Sequence, residues 1–180
     1  MRHAQSEFNE FFNRTRVDPG IVDPRITDQG REQARQAAAV LQTMPRIHTL
    51  LSSPFTRSLQ TASIIAERLG LKVTVEPLVR ERGAFICDIG TPRSALERDW
   101  PHLDFGDLPE VWWTADAEAL TSVSRRAAAF RAKALAMPDS RGTAVISHWG
   151  FILALTGRAM ENGMVVEFDP SEPGEAEPLG

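Results

Sequence analysis

Apolar positions along the chain follow two alternating periodicities. In "DQGREQARQAAAVLQTM", Ala34, Ala38 and Leu41 recur at i, i+4 and i+7 among charged neighbours, with Thr27 ahead of them as N-cap. That spacing predicts an amphipathic helix over 28–44. "IHTLLSSP" is too short for a helix and apolar in its middle, which predicts a strand. In "TRSLQTASIIAERLG", Leu59, Ala62, Ile65 and Leu69 share one helical face and Gly70 supplies the stop. "LKVTVEP" alternates Val73 and Val75 with polar residues, a strand of period two. Between 82 and 117 the pattern breaks at Gly83, Gly90, Pro92, Pro101, Gly106 and Pro109, so an irregular insertion with one short helix near 92–99 is expected. Leu120, Val123, Ala127, Phe130 and Ala134 then restore helical spacing within 117–137. "TAVISHWG" reads as a buried strand ending at a histidine, "FILALTGRAM" as a helix and "MVVEFDP" as a last strand. Strands alternating with helices predict an α/β fold, a three-layer sandwich whose mostly parallel central sheet is flanked by helices. The acidic, Pro- and Gly-containing stretch 170–180 is expected to be a disordered tail behind one domain over 1–169.

Composition narrows the function classes. A length of 180 residues with 42% apolar content suffices for one substantial core. The formal charge of -4 argues against a broad cationic surface for nucleic acid or anionic lipid. An anionic ligand must therefore meet a local cluster of positive charge. Cys87 is the lone cysteine, which excludes an internal disulfide framework and a thiolate metal cage and reads as a small core residue. No apolar run reaches the length of a membrane span, and the first residues are polar, so a cytoplasmic location is the expectation.

Ligands of open α/β sheets bind beyond the carboxyl ends of the strands. The ionisable groups expected there are Arg2 and His3, Arg57 after "SSPFT", Glu81 in "RER" and His148 in "SHWG". Two histidines, arginines and a carboxylate suit phosphoryl transfer without a metal or other cofactor. A neutral imidazole attacks phosphorus, and forked guanidinium donors with a protonated second histidine hold the equatorial oxygens. A carboxyl group protonates the leaving alkoxide and then deprotonates water. Taken singly, each residue has a commoner structural reading: Arg57 and Glu81 as surface charges, His148 as a core histidine. Glu76 and Glu110 are alternative carboxylates, whereas His48 and His102 read as structural or surface residues. There is no His-x-His or His-x-x-x-His pair for a metal, no Walker loop and no Gly-x-Gly-x-x-Gly.

"RHAQSEFN", "DPRITDQGREQA", "SSPFTRSLQTA", "LVRERG" and "VISHWGFI" together resemble, in order, the signature blocks of the histidine phosphatase superfamily, the phosphoglycerate mutase-like fold. The resemblance covers about 2–168. It implies His3 as nucleophile, Glu81 as proton donor, and Arg2, Arg57 and His148 as phosphate pocket, with Ser6 and Asn9 on the pocket serine and asparagine of the signature. Ala4 stands where glycine is commoner, and Trp149 where a small residue follows the second histidine; the tryptophan would narrow the pocket mouth or stack on an organic substrate. Family mutases carry a longer insertion between the acid and the second histidine, so hydrolysis of a phosphorylated small molecule is favoured. Mutase-type transfer and phospholigand binding without turnover stand as alternatives. The insertion resembles a specificity lid in which Arg82, Arg93, Trp112 and Trp113 either meet the substrate or pack the lid. In this family the nucleophile ends a first central strand preceded by several apolar residues. Met1 alone precedes Arg2, so either the natural start lies upstream or that strand is cut to almost nothing.

Overall fold

The computed structural model describes residues 1–44 and 47–172; from 173 onward the expected tail lies outside them. Its helices are α1 (Glu7–Thr15), α2 (Asp28–Gln42), α3 (Thr56–Leu69), α4 (Arg93–Asp99), α5 (Leu120–Ala136) and α6 (Trp149–Thr156). The strands β1 (Thr49–Ser52), β2 (Val73–Val75) and β3 (Thr143–Ile146) form a parallel sheet in the order β2-β1-β3. Leu50 lies opposite Val73 and Ala144, and Leu51 opposite Thr74 and Val145. Successive strand side chains point to opposite faces. Leu50, Ala144 and Ile146 accordingly pack with Ala38, Leu41, Ala62 and Ile65 of α2 and α3. Leu51 and Val145 pack with Ala127, Phe130, Phe151 and Leu155 of α5 and α6 on the other face. Among the described residues no helix is long and apolar enough to cross a membrane.

Three elements differ from the periodic reading. Residues 164–168 are not a strand, although "MVVEF" is a short, mostly apolar, β-branched run of the kind that forms one. A strand needs a ladder partner, and here the Met164 carbonyl accepts from the Arg2 N–H at 3.2 Å while the N-terminal stretch joins the sheet at one parallel bridge, Arg2 to Ser147. A groove of about 770 Å³ runs beside it, lined by Met1, Val145, Val165 and Phe168 among others. The helix expected over 151–160 starts at Trp149 and stops at Thr156, because Gly157 turns left-handed (φ 70°) and its N–H returns to the Leu153 carbonyl. Helix α1 was not among the expected elements. Ser6 caps it, its hydroxyl accepting from the Asn9 N–H while the Asn9 side chain accepts from the Ser6 N–H.

The insertion has a core of its own, in which Leu96, Phe105, Leu108 and Trp112 close over Phe55 and Leu59 of the α3 region. The Trp112 indole N–H donates to the Thr91 carbonyl at 2.8 Å, and Trp112 and Trp113 meet edge to face. Both tryptophans therefore pack the lid. Asp23 ties it down, its carboxylate accepting from the Thr56 N–H and from the Thr56 and Thr91 hydroxyls.

Helix α2 approaches the N-terminal loop so closely that a Cβ on Gly30 would stand 2.2 Å from the Gln5 backbone oxygen. Backbone cannot retreat as a flexible side chain does. Gly30→Ala is expected to lower unfolding stability by about 1–3 kcal/mol, measured by urea denaturation, and a neutral result would contradict this contact.

Candidate active site

The carboxyl ends of β1 and β3 and the first residues of the chain converge. The His3 N–H donates to the Ser147 carbonyl at 2.8 Å, which sets His3 beside the exit of β3, and the His3 and His148 rings lie 5.0 Å apart. Both rings are buried. His3 Nδ1 is 2.7 Å from the Ala4 carbonyl oxygen. A carbonyl only accepts, so Nδ1 carries the hydrogen and Nε2 keeps its lone pair. The Asn162 amide and the Gly163 N–H both donate to the His3 carbonyl and hold the backbone beneath the ring.

His148 Nε2 faces the hydroxyls of Ser53 at 2.8 Å and Ser58 at 3.2 Å. Two potential donors on Nε2 favour the tautomer with hydrogen on Nδ1. Among the described residues, His148 Nδ1 and Arg2 Nε are buried without a hydrogen-bond partner. Buried polar atoms are rarely left so, and two of them beside a histidine pair mark where a ligand's acceptors fit.

Arg2 is anchored by Nη1, which donates to the Met160 carbonyl at 2.8 Å. Arg57, from the first turn of α3, is buried with its guanidinium over the Phe55 ring at 4.2 Å. Its Nη1 donates to the Cys87 carbonyl at 2.8 Å and its Nη2 to Asp88 at 3.1 Å. Burial, then the Arg57 and Arg2 charges, hold His3 well below the ordinary imidazole value. Burial and Arg57, followed by His3 and Arg2, do the same to His148. Burial and two guanidinium ions thus both disfavour a charge on either imidazole, against the expectation of a protonated second histidine. Neutral His148 still donates, through Nδ1.

Glu81 follows the turn after β2. Its Oε1 accepts from the Arg82 N–H at 2.8 Å and the Phe151 N–H at 3.2 Å, and its Oε2 from the Gly150 N–H at 3.2 Å. It thus sits on the N-terminus of α6, directly after His148. Burial, then the Asp88 charge, raise its carboxyl above the ordinary value, against the Arg82 and Gly150 N–H donors and Arg57. Glu76 is engaged elsewhere, paired with Lys133 and capping a short turn through the Leu78 N–H, and Glu110 is bonded to Ser94.

Ser6 and Asn9 spend their side chains on the α1 cap and on Asn162. Of the lid cations, Arg82 donates to the Glu118 carbonyl and Arg93 pairs with Glu97 along α4. Trp149, at the first turn of α6, is exposed. Ala4 packs with Ile26 and Ala34, and its N–H bonds Thr61. His48 pairs with Asp139 at the surface. Sequence reading did not single out Ser53, Ser58, Asp88, Arg126 or Asn162. Ser53 and Ser58 were within reach, since both lie in the quoted "SSPFTRSLQTA" block, whereas Asp88, Arg126 and Asn162 lie outside the quoted blocks.

A family description, the histidine phosphatase superfamily (branch 1), matches residues 1–169. The chain is 29% identical over 160 residues to a probable phosphoglycerate mutase GpmB of Enterobacter sp. (strain 638), covering 82% of this chain and 67% of that one. It is 36% identical over 81 residues to a glucosyl-3-phosphoglycerate phosphatase of Mycolicibacterium vanbaalenii, covering 45% of this chain and 34% of that one. Among solved structures, a mycobacterial glucosyl-3-phosphoglycerate phosphatase complexed with VO3 aligns with a TM-score of 0.58 at 26% identity, covering 86% of this chain and 75% of that one. A parallel sheet ending in two facing histidines and two arginines, matched along nearly its whole length, places the chain in the histidine phosphatase superfamily.

Proposed function

We propose that this protein hydrolyses phosphomonoesters of small molecules through a phosphohistidine on His3, with no metal ion. The observation that carries the proposal is the buried His3–His148 pair at 5.0 Å, with Arg2 Nε and His148 Nδ1 unpartnered among the described residues. The Nε2 lone pair of His3 forms the bond to phosphorus as the bond to the ester oxygen breaks, and Glu81 gives that oxygen its proton. Water then attacks phosphorus, the N–P bond breaks, and the water's proton returns to Glu81. Arg2, Arg57 and His148 donate to the equatorial oxygens, whose charge grows in the transition state. Ser6 and Asn9 act on the pocket through the loop they fix. Residues 82–117 form the lid over the leaving group, and phosphorylated sugar acids of the kind named for the mycobacterial relatives belong in the first substrate panel.

The test is a rapid-quench experiment with a 32P-labelled aryl phosphate. The expected result is acid-labile label on the protein and steady hydrolysis that persists in excess EDTA. Loss of activity in EDTA would overturn the metal-free reading. Vanadate binding without turnover on any substrate would replace catalysis by phospholigand binding, and isomeric phosphate esters among the products would replace hydrolysis by mutase transfer.

A further inference from the structure

Asp88 has no assigned part in this chemistry, yet it is buried against the pocket arginine. Its Oδ1 accepts from Arg57 Nη2 at 3.1 Å, and both side chains are 4% exposed. Its Oδ2 accepts from the Ala84 N–H at 3.1 Å and the Phe85 N–H at 3.0 Å. The Cys87 carbonyl beside it takes the second Arg57 bond. One carboxylate thus closes the turn after Glu81 and clamps the guanidinium. It is also a buried negative charge in a pocket otherwise suited to anions, where it opposes a phosphate dianion. A site built only for phosphate affinity would not keep it.

We propose that Asp88 is a positioning residue of the phosphoryl site, holding the Arg57 guanidinium in place and setting the charge that Glu81 experiences. This rests on the phosphomonoesterase reading. After burial, the Asp88 charge is the largest influence holding the Glu81 proton, opposed by the Arg82 and Gly150 N–H groups and by Arg57. Arg2 and Cys87 also sense the Glu81 charge. Burial and Asp88 keep the Cys87 thiol protonated, so it contributes no charge of its own. The same carboxylate therefore holds the group that binds phosphate and keeps the neighbouring acid in its proton-donating form. It also moderates the site's positive charge, which favours release of the product phosphate.

The test compares Asp88→Asn, which keeps an acceptor for Arg57 but removes the charge, with Asp88→Glu, which keeps the charge. On phenyl phosphate, a poor leaving group that needs the acid, the basic limb of kcat/KM reports loss of the Glu81 proton in the free enzyme. Without the Asp88 charge that limb should move to lower pH by about half to one unit. Asp88→Glu should leave the limb in place even if its rate falls. Calorimetric titration with inorganic phosphate should show Asp88→Asn binding about 3–10-fold tighter than wild type, since one opposing charge is gone. A purely structural role would lower the rate in both variants without moving the limb. An unmoved limb in Asp88→Asn overturns the proposal, and so does weaker phosphate binding. Should the wild type show no turnover, the function has failed, and the calorimetric comparison still judges the role of Asp88. Should the amide variant not fold, Asp88→Ser, smaller and with a hydroxyl acceptor, takes the same readouts.

Discussion

His3→Ala is expected to lower kcat/KM on an aryl phosphate by about 10⁴-fold or more, the scale on which removing a nucleophile acts. The ring donates from Nδ1 to the Ala4 carbonyl, and its other nitrogen keeps the lone pair that the proposed attack on phosphorus requires. No neighbour can replace it, because His148 Nε2 is already engaged by Ser53 and Ser58. The acid-labile label should disappear with the rate. Inorganic phosphate should still bind, since Arg2, Arg57 and His148 remain, and this separates lost chemistry from a lost fold. Activity above a hundredth of wild type in the folded variant would remove His3 from the nucleophilic role. The wild-type pH profile follows from the same environment. His3 must be neutral to attack, and burial and two arginines hold it well below 6.5. The acid limb of kcat/KM should therefore lie below 6.5, with activity retained as pH falls through the ordinary imidazole value. Glu81 must be protonated at first, and burial and Asp88 raise it above 4.5, so the basic limb lies above that value.

The second large effect lies behind the site. Arg126→Met should lower stability by about 3–5 kcal/mol, because it strands a buried carboxylate. Arg126 Nε and Nη2 bond both oxygens of Glu118, at 3.2 and 2.6 Å. Its Nη1 donates to the carbonyls of Leu78 and Arg80 at 2.8 and 2.7 Å, and Nη2 also reaches that of Glu81 at 3.3 Å. Three carbonyls within residues 78–81, the path to Glu81, thus hang on one guanidinium. Arg80 and Ser122 also reach Glu118, so the lower end of the range is the better figure. At about 2–4 °C per kcal/mol for a chain of this size, Tm should fall by roughly 6–12 °C at that lower end. Pairing the change with Glu118→Leu should recover part of the loss, since an apolar pair needs no partner. Burial pushes the Glu118 carboxyl up, but the Arg126 bond and charge hold it below 4.5. A depressed carboxyl stabilises the fold above its unfolded value, and that contribution is lost as pH falls through the folded one. The gap between variant and wild type should therefore narrow in acid. A Tm change under about 2 °C at neutral pH would show that the pair contributes little.

Both effects depend on contacts with very different legibility in the chain. The three strands and helices α2 to α6 could be read, within a few residues, because apolar period is a local property set by backbone geometry. Helix α1 escaped that reading because its start is marked by a polar cap, Ser6 with Asn9, in a block whose residues pointed to ligand chemistry. Residues 164–168 misled in the opposite direction: a short apolar, β-branched run describes which side chains could be buried, whereas a strand also needs backbone partners.

By itself, the sequence determined the layered α/β architecture and the candidates at the strand ends, Arg2, His3, Arg57, Glu81 and His148, because each is written into a short contiguous block. Tertiary structure alone decided their chemical states. Which nitrogen of His3 bears hydrogen depends on the carbonyl beside it, and His148 depends on two serines some ninety residues earlier in the chain. The charge of Glu81 depends on Asp88 and on the amides of α6, and the backbone leading to it depends on Arg126. Protonation and orientation are set by burial and by neighbours within a few ångströms, and in a parallel sheet those neighbours arrive from distant stretches of chain.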